Sequence, residues 1–515
     1  MLEALLRAVC EEPDDDVPRL LLADWLEEHG GEEERDRAEF IRVQCQLDGK
    51  WTTYPRKQIL QERESQLLER RRAPWQGPME GDWLRGFFSL HVRETYPLEE
   101  ILADRERWRW VDSLWVYAES WLPWVERVLA SDNMRWVHGL RLVVPCGDDA
   151  LAFLAGTAQV GNLRSVSISH PRFGPSGWRS LQGSPHLTRL RAVKLSNRHG
   201  VPGWLPALTQ TPLGIALTYL DLAYTRLGDA GASALASAAP LSQLRRLNLQ
   251  DNGLTVNGAC TLAASRYLRR PLELNVRANR IGDEGVTALF RAGLLPDASR
   301  LDLFKVGLGD AGASVLSEHP RCADLRELVL PFNEISAEGA KALARSPVLA
   351  GLTLLDLYYD RVGDAGAYSL ARPSCRGLTR LRLGHTGVGA AGAAALGAGD
   401  LPALESLDLS GNRLGAHGVR DLLAALTLPS LRELDLSGTE LGDEGAVVLA
   451  GSPALERLRV LFLKDNGITG RGSAAIARSP HIDHLEHLEI WGNPIDQAAA
   501  TALRDRLGGR VKLRG

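Results

Sequence analysis

The sequence predicts an α/β solenoid: a horseshoe with parallel strands on its concave face and helices on its convex face, and a small helical domain at the N-terminus. Three observations predict it. A Leu-x-Leu signature returns every 26 or 27 residues through much of the chain. Gly-Asp pairs return in the same phase. The first 40 residues are acidic and carry apolar residues at helical spacing.

The composition permits this and excludes much else. Of 515 residues, 44% are hydrophobic and 24% charged, which suits a folded chain and not a disordered or collagen-like one. The length exceeds one ordinary compact domain. The net charge of −4 gives no global basic field, so nucleic acid is not expected as a partner. Six cysteines lie far apart with no C-x-x-C pair, so a disulfide scaffold or zinc ribbon is not expected, and a reducing compartment is the natural reading. Glu3, Glu11 and Glu12 stand where a secretory signal wants positive and small residues. No run of 18 apolar residues occurs, so no membrane association is expected. The expected location is cytoplasmic.

In the first 40 residues, 14 are acidic and 4 basic. Leu2, Leu5, Leu6 and Val9 share one helical face. Pro18 opens a second segment with Leu21, Leu22, Trp25 and Leu26 as its stripe, stopped by Gly30 and Gly31. A third carries Phe40, Ile41 and Leu47. Residues 56–72 form a charged helix with Ile59, Leu60, Leu67 and Leu68 at helical spacing. Arg70, Arg71 and Arg72 read as a solvated face beside Glu62, Glu64 and Glu69, rather than a phosphate contact.

The repeat then takes over. Its strand leucines are Leu220, Leu247, Leu274, Leu301, Leu328, Leu355, Leu381, Leu407, Leu434, Leu461 and Leu488, in steps of 27 or 26. Val193, Val166 and Leu140 continue the series backwards, and Leu114 and Leu90 begin it in degenerate form. The leucines point inward and one unit cannot bury them, but a stack can. Asn252, Asn279, Asn333, Asn412, Asn466 and Asn493 recur in phase and are placed to satisfy buried backbone groups of the bend. Thr225, Thr386 and Thr439 substitute for Asn, and Val306 needs another partner. Asp229, Asp283, Asp310, Asp364 and Asp443 follow glycines as helix N-caps. Pro240, Pro320, Pro347, Pro453 and Pro480 stop helices. The expected division is 1–48, an acidic helical domain; 49–82, a charged helical linker; 83–139, Trp-rich degenerate repeats forming an N-terminal cap; and 140–515, the solenoid with its C-terminal cap.

These units, as in LDLSGTELGDEGAVVL at 434–449, resemble the ribonuclease-inhibitor-like class of leucine-rich repeats. PDDDVPRLLLADWLEEHG at 13–30 and AEFIRVQCQL at 38–47 are similar to the repeat-companion domain found before such repeats in planctomycete proteins. The resemblance implies a bacterial origin and this architecture. It implies no activity. Some proteins of the first class regulate GTPases, so a GTPase regulator is the alternative function.

Apparent catalytic motifs dissolve in the repeat. Gly387, Gly389 and Gly392 match G-x-G-x-x-G, but Gly307, Gly309 and Gly312 match it at the same phase, so both read as turns. His481, His484 and His487 fall around a strand and read as surface histidines. No metal, cofactor or catalytic residue is expected. The expected function is a non-catalytic protein-interaction scaffold. Its site lies on the concave strand face, whose middle row includes Asp302, Asp356, Arg382, Asp408 and Asp435. Phe304, Phe332, Tyr358 and Tyr359 lie beside them with Pro331. An acidic row predicts a protein partner with a basic surface, and clustered aromatics predict a hot spot. Trp491 reads as a C-terminal cap. Nine tryptophans (Trp51, Trp75, Trp83, Trp108, Trp110, Trp115, Trp121, Trp124 and Trp136) read as a seal between head and repeats, or else as a second partner site. Nothing in the sequence sets the oligomeric state.

Overall fold

The computed structural model describes residues 1–11, 15–48, 54–77, 79–196, 217–268, 273–295, 299–347 and 350–513, so Trp51 lies outside the described residues. The fold is an α/β leucine-rich-repeat solenoid with a helical N-terminal region. The chain divides into two compact units: Met1–Arg226 with Ser237–Asn248, and Leu227–Ala236 with Leu249–Gly515.

The first unit begins with four helices, α1 (Leu2–Glu11), α2 (Val17–His29), α3 (Glu32–Asp48) and α4 (Tyr54–Gln76). Leu6, Val9, Leu22, Ala23, Leu26, Ala38 and Ile41 form one buried core together with Phe87. Leu21 is 54% exposed. It sits about 100° around the helix from Leu22, so the inner stripe runs through Leu22, Ala23 and Leu26 instead. Helix α4 folds back on α3 around Phe40, Leu67 and Trp75. Its arginines are not a purely solvated face. Arg71 donates to Asp36 at 2.5 Å and to Glu32 at 3.1 Å, and Arg70 pairs with the same two acids. The acid run of α3 is what draws them in, a partner that spacing within α4 does not reveal.

The buried Arg37 guanidinium lies 4.4 Å from the Trp75 ring, 5.2 Å from Trp83 and 4.2 Å from Trp110. These three tryptophans therefore join the helices to the first strands. Burial pulls the Arg37 pKa down to about 9, so it remains a cation at neutral pH. Trp115 is different: it lies on a strand among His91, Tyr117 and Arg141.

The strands of this unit are β1 (Glu80–Leu84), β2 (Phe87–Arg93), β3 (Val111–Tyr117), β4 (Gly139–Cys146), β5 (Ser165–Pro171), β6 (Ala192–Leu195), β7 (Tyr219–Asp221) and β8 (Arg246–Asn248). β1 pairs antiparallel with β2, and β2 to β8 run parallel in sequence order. Leu90, Leu114, Leu140, Val166, Val193, Leu220 and Leu247 are successive register partners. All seven are buried.

The second unit holds β9 (Glu273–Asn275), β10 (Arg300–Asp302), β11 (Glu327–Val329), β12 (Leu354–Asp356), β13 (Arg380–Arg382), β14 (Ser406–Asp408), β15 (Glu433–Asp435), β16 (Val460–Phe462), β17 (His487–Glu489) and β18 (Val511–Lys512). β10 to β18 form one parallel sheet in sequence order, with Leu301 through Leu488 in register. A helix follows each strand from β9 to β17, as with Asp310–Glu318, Ala337–Arg345, Gly363–Leu370 and Ala390–Gly397.

Two polar clasps join successive repeats. The first is the asparagine series. Asn333 Oδ1 accepts from Val306 N at 3.0 Å and Leu308 N at 3.0 Å, and its Nδ2 donates to Leu303 O at 2.9 Å and Leu330 O at 2.7 Å. Asn279, Asn412 and Asn493 repeat that pattern. Val306 therefore has its partner in the following repeat.

The second clasp corrects the N-cap expectation. The aspartates do not cap their own helices but reach to the next helix. Asp310 Oδ1 accepts from Ser336 N at 2.8 Å and Gly339 N at 2.9 Å, and Oδ2 accepts from Ser336 Oγ at 2.6 Å. Asp443 does the same for Thr469 and Gly472, and Asp364 takes Gly389 N and Gly392 N. A carboxylate at a helix N-terminus meets both unpaired amides and the positive end of the dipole. It also explains the conserved phase of glycine: a Cβ at Gly339 would lie 2.4 Å from Asp310 Oδ1.

Among the described residues no helix is long and apolar enough to cross a membrane.

Candidate functional site

The strand residues flanking the buried leucines form the open face of each sheet. In the second unit, the fourth position after each strand leucine has a left-handed backbone. The φ values are +60° at Phe332, +62° at Tyr359 and +56° at His385, and Asp251, Ala278, Lys305, Gly411, Gly438, Asp465 and Gly492 occupy the same phase. The turn that produces this is the same each time. The amide at this position donates sideways to the next repeat, as from Phe332 N to Tyr358 O at 2.8 Å and from Tyr359 N to Gly384 O at 2.9 Å. Left-handed backbone costs a side-chain-bearing residue about 1–2 kcal/mol, and glycine almost nothing.

Three bulky rings nevertheless occupy consecutive positions of this row. Phe332 stacks on Tyr359 with centroids 4.5 Å apart at 13°, and Tyr359 stacks on His385 at 4.2 Å and 13°. The His385 ring lies over Gly411, where a Cβ would come within 2.1 Å of it. Phe304 meets Phe332 edge-on at 5.3 Å, and Tyr358 meets Tyr359 at 4.9 Å and His385 at 5.4 Å. Phe332 is 41% and Tyr359 44% exposed. Of the residues expected from sequence, Phe304, Phe332, Tyr358 and Tyr359 come together. Pro331 is buried. His385 was not among them, because it replaces an aromatic one strand beyond the apparent cluster. The signal that finds it is its shared phase with Phe332 and Tyr359.

The acidic row is less free than its sequence suggests. Asp356 is only 4% exposed. It accepts from Tyr358 N at 3.0 Å and from Arg382 at 2.9 Å. Burial raises its carboxyl above the usual range, while Arg382 and the Tyr358 amide pull it back. Asp408 accepts from Ser410 N and Oγ, with Arg382 at 3.5 Å. Asp435 accepts from Ser437 N at 2.8 Å, and burial pushes its carboxyl up. Asp302 accepts from Phe304 N, with Arg277 at 3.3 Å and Arg300 at 3.6 Å. Each aspartate thus shapes the turn that follows it.

The flanking rows also bring cations that the middle row hides. Arg300 and Arg380 pair with Glu327, and Lys464 lies 3.6 Å from Glu489. Asp408 has Arg382 at 3.5 Å, and Lys464 lies near Asp435.

The groups of the remaining sequence motifs are engaged within the fold. Gly389 N and Gly392 N, the amides a phosphate would need, are already bound by Asp364. His481 lies 2.8 Å from Glu456, and His487 lies 3.1 Å from Glu489. Among the described residues no cluster of His, Cys, Asp and Glu could hold a metal.

The fold is built from leucine-rich-repeat units. A family model described as Leucine Rich repeat matches residues 216–236, 272–290, 321–344, 374–397, 401–423 and 427–450. No curated protein matches the chain. Among solved structures, the chain is similar to an internalin (inlF) from Listeria monocytogenes. The identity is 16%, the match covers 76% of this chain and 92% of that one, and the TM-score is 0.32. Leucine-rich-repeat proteins generally mediate protein–protein interaction.

Proposed function

We propose that the chain is a non-catalytic scaffold that binds a protein partner on the open, concave strand face of the second unit. The carrying observation is the exposed stack of Phe332, Tyr359 and His385 on left-handed backbone. Gly, Ala, Asp or Lys serve the fold at that phase in the other repeats, so three consecutive stacked rings, two of them exposed, point to recognition. In this reading Asp356 and Asp302 hold the platform in shape. Asp408 and Asp435, with Arg382 between them and Phe304 and Tyr358 beside them, supply the polar rim, and their excess charge favours a basic patch on the partner. The strand–turn–helix unit of 26 or 27 residues supports the ribonuclease-inhibitor-like type, and the four helices before β1 support a companion domain at the N-terminus.

Tyr359→Gly tests this directly. It removes about 1–2 kcal/mol of backbone strain together with ring contacts of about 0.5–1.5 kcal/mol each, so the melting temperature should move by only a few degrees. Partner capture in affinity purification from the native host should be lost. Recovery of the same proteins by the folded variant would refute the reading.

A further inference from the structure

The open face of the first unit has the opposite charge pattern. Its strands β2 to β6 carry Arg93, Arg141 and Lys194 at exposed positions and a single acid, Asp112 at the start of β3, which faces His138 at 3.7 Å. In the second unit the corresponding cations Arg277, Arg300, Arg380, Arg382 and Lys464 each have a carboxylate within 4.0 Å. Arg93, Arg141 and Lys194 instead lie against aromatic rings: Arg141 over Trp115 at 4.4 Å, Arg93 over Tyr117 at 5.3 Å and Lys194 over Tyr219 at 5.2 Å. The nearest bordering acids are engaged. Asp82 faces His91 at 3.4 Å, and Asp221 accepts from Tyr219 Oη at 3.0 Å and Ala223 N at 3.0 Å.

We propose that this face is a second binding surface, taking an acidic polypeptide segment whose carboxylates seat on Arg141 and Lys194. Arg141 is exposed, with its guanidinium over the Trp115 ring, and a guanidinium can take a carboxylate through two parallel hydrogen bonds. Beside it the sheet is low. Gly139 has Ser113 and Ser165 as its register partners, and Ser113 Oγ donates to Ser89 Oγ at 2.8 Å. These small residues admit a backbone, and their hydroxyls can meet its carbonyls.

Arg141 on β4 and Lys194 on β6 share one row two strands apart, about 10 Å at the usual strand spacing. A polyproline-type segment presents acids three residues apart on one side at nearly that distance, about 9 Å. Single-stranded nucleic acid fits less well. Trp115, the largest ring of this face, already has His91 stacked 4.6 Å from it and the Arg141 guanidinium over it, which leaves it less free to stack on a base.

The test uses the full chain and fluorescence anisotropy with three labelled probes: a Pro-rich peptide with Glu at every third position, its Lys counterpart, and oligothymidylate. The Glu peptide is expected to bind, to weaken as salt rises, and to lose at least about tenfold in affinity with Arg141→Glu or with Lys194→Glu. The second variant lies at an exposed position and guards against misfolding in the first. Tyr359→Gly should leave this binding unchanged, which separates it from the site of the second unit. No binding of the Glu peptide, equal binding by both folded charge variants, or tighter binding of oligothymidylate would overturn the proposal.

Discussion

Asp360 stands where the other repeats place asparagine or threonine, or in one case Val306. Its Oδ1 accepts from Ile335 N at 2.9 Å, as an asparagine there would, but its buried Oδ2 has no hydrogen-bond partner. In the asparagine repeats that second atom is an Nδ2 donating to backbone carbonyls, so Asp360 can complete the same clasp only as a neutral acid. Burial, with Asp356 and Asp310 nearby, pushes its pKa up to about 8. A folded-state pKa raised above the unfolded value means stability is fully present below the unfolded pKa, near 4. It falls as pH rises toward about 8. Asp360→Asn should therefore stabilise the chain at pH 8 by about 1–3 kcal/mol and flatten the dependence of melting temperature on pH between 4 and 8. An unchanged pH profile in calorimetry would refute this. The asparagine series was legible in the sequence because its chemistry repeats. Asp360 was not, because a lone carboxylate at that phase looks like any polar residue until its burial is known.

At the scale of the element, the unit is a strand, a left-handed turn and a helix whose N-terminus is closed by the aspartate of the preceding repeat. Asp310→Ala should cost about 1–2 kcal/mol, read by denaturant unfolding, although the residue is polar and near the surface. Gly339→Ala should destabilise as well, because its Cβ would press into the Asp310 carboxylate. If either variant matches the parent, the cross-repeat clasp contributes little. The period and the buried leucines followed from spacing alone. The direction of the aspartate did not: the Gly-Asp pair sits beside its own helix in sequence, and only the stacking of coils shows that the neighbouring amides lie closer. The charge of the open face was likewise misjudged from one row. Arg277 and Arg300 flank that row and pair with Asp302, while Arg382 within it pairs with Asp356.

Across the whole molecule, the N-terminal helices are part of the first unit's core. Phe87 packs into the α1–α3 cluster, and Trp75 and Trp83 pack around Phe40. A chain lacking residues 1–76 should expose Phe87, Trp83 and Phe88, bind a hydrophobic dye and aggregate. A monodisperse, dye-silent fragment would show the helices to be dispensable. The two polar clasps have a further consequence. Each is split between neighbours, with the asparagine or aspartate side chain in one coil and backbone partners in the other. A gene segment encoding one full period therefore carries a matching half for both sides, whereas a fractional insertion strands buried amides. Length in such an array changes by whole copies, so the breadth of the surface it offers should vary among descendants in discrete increments.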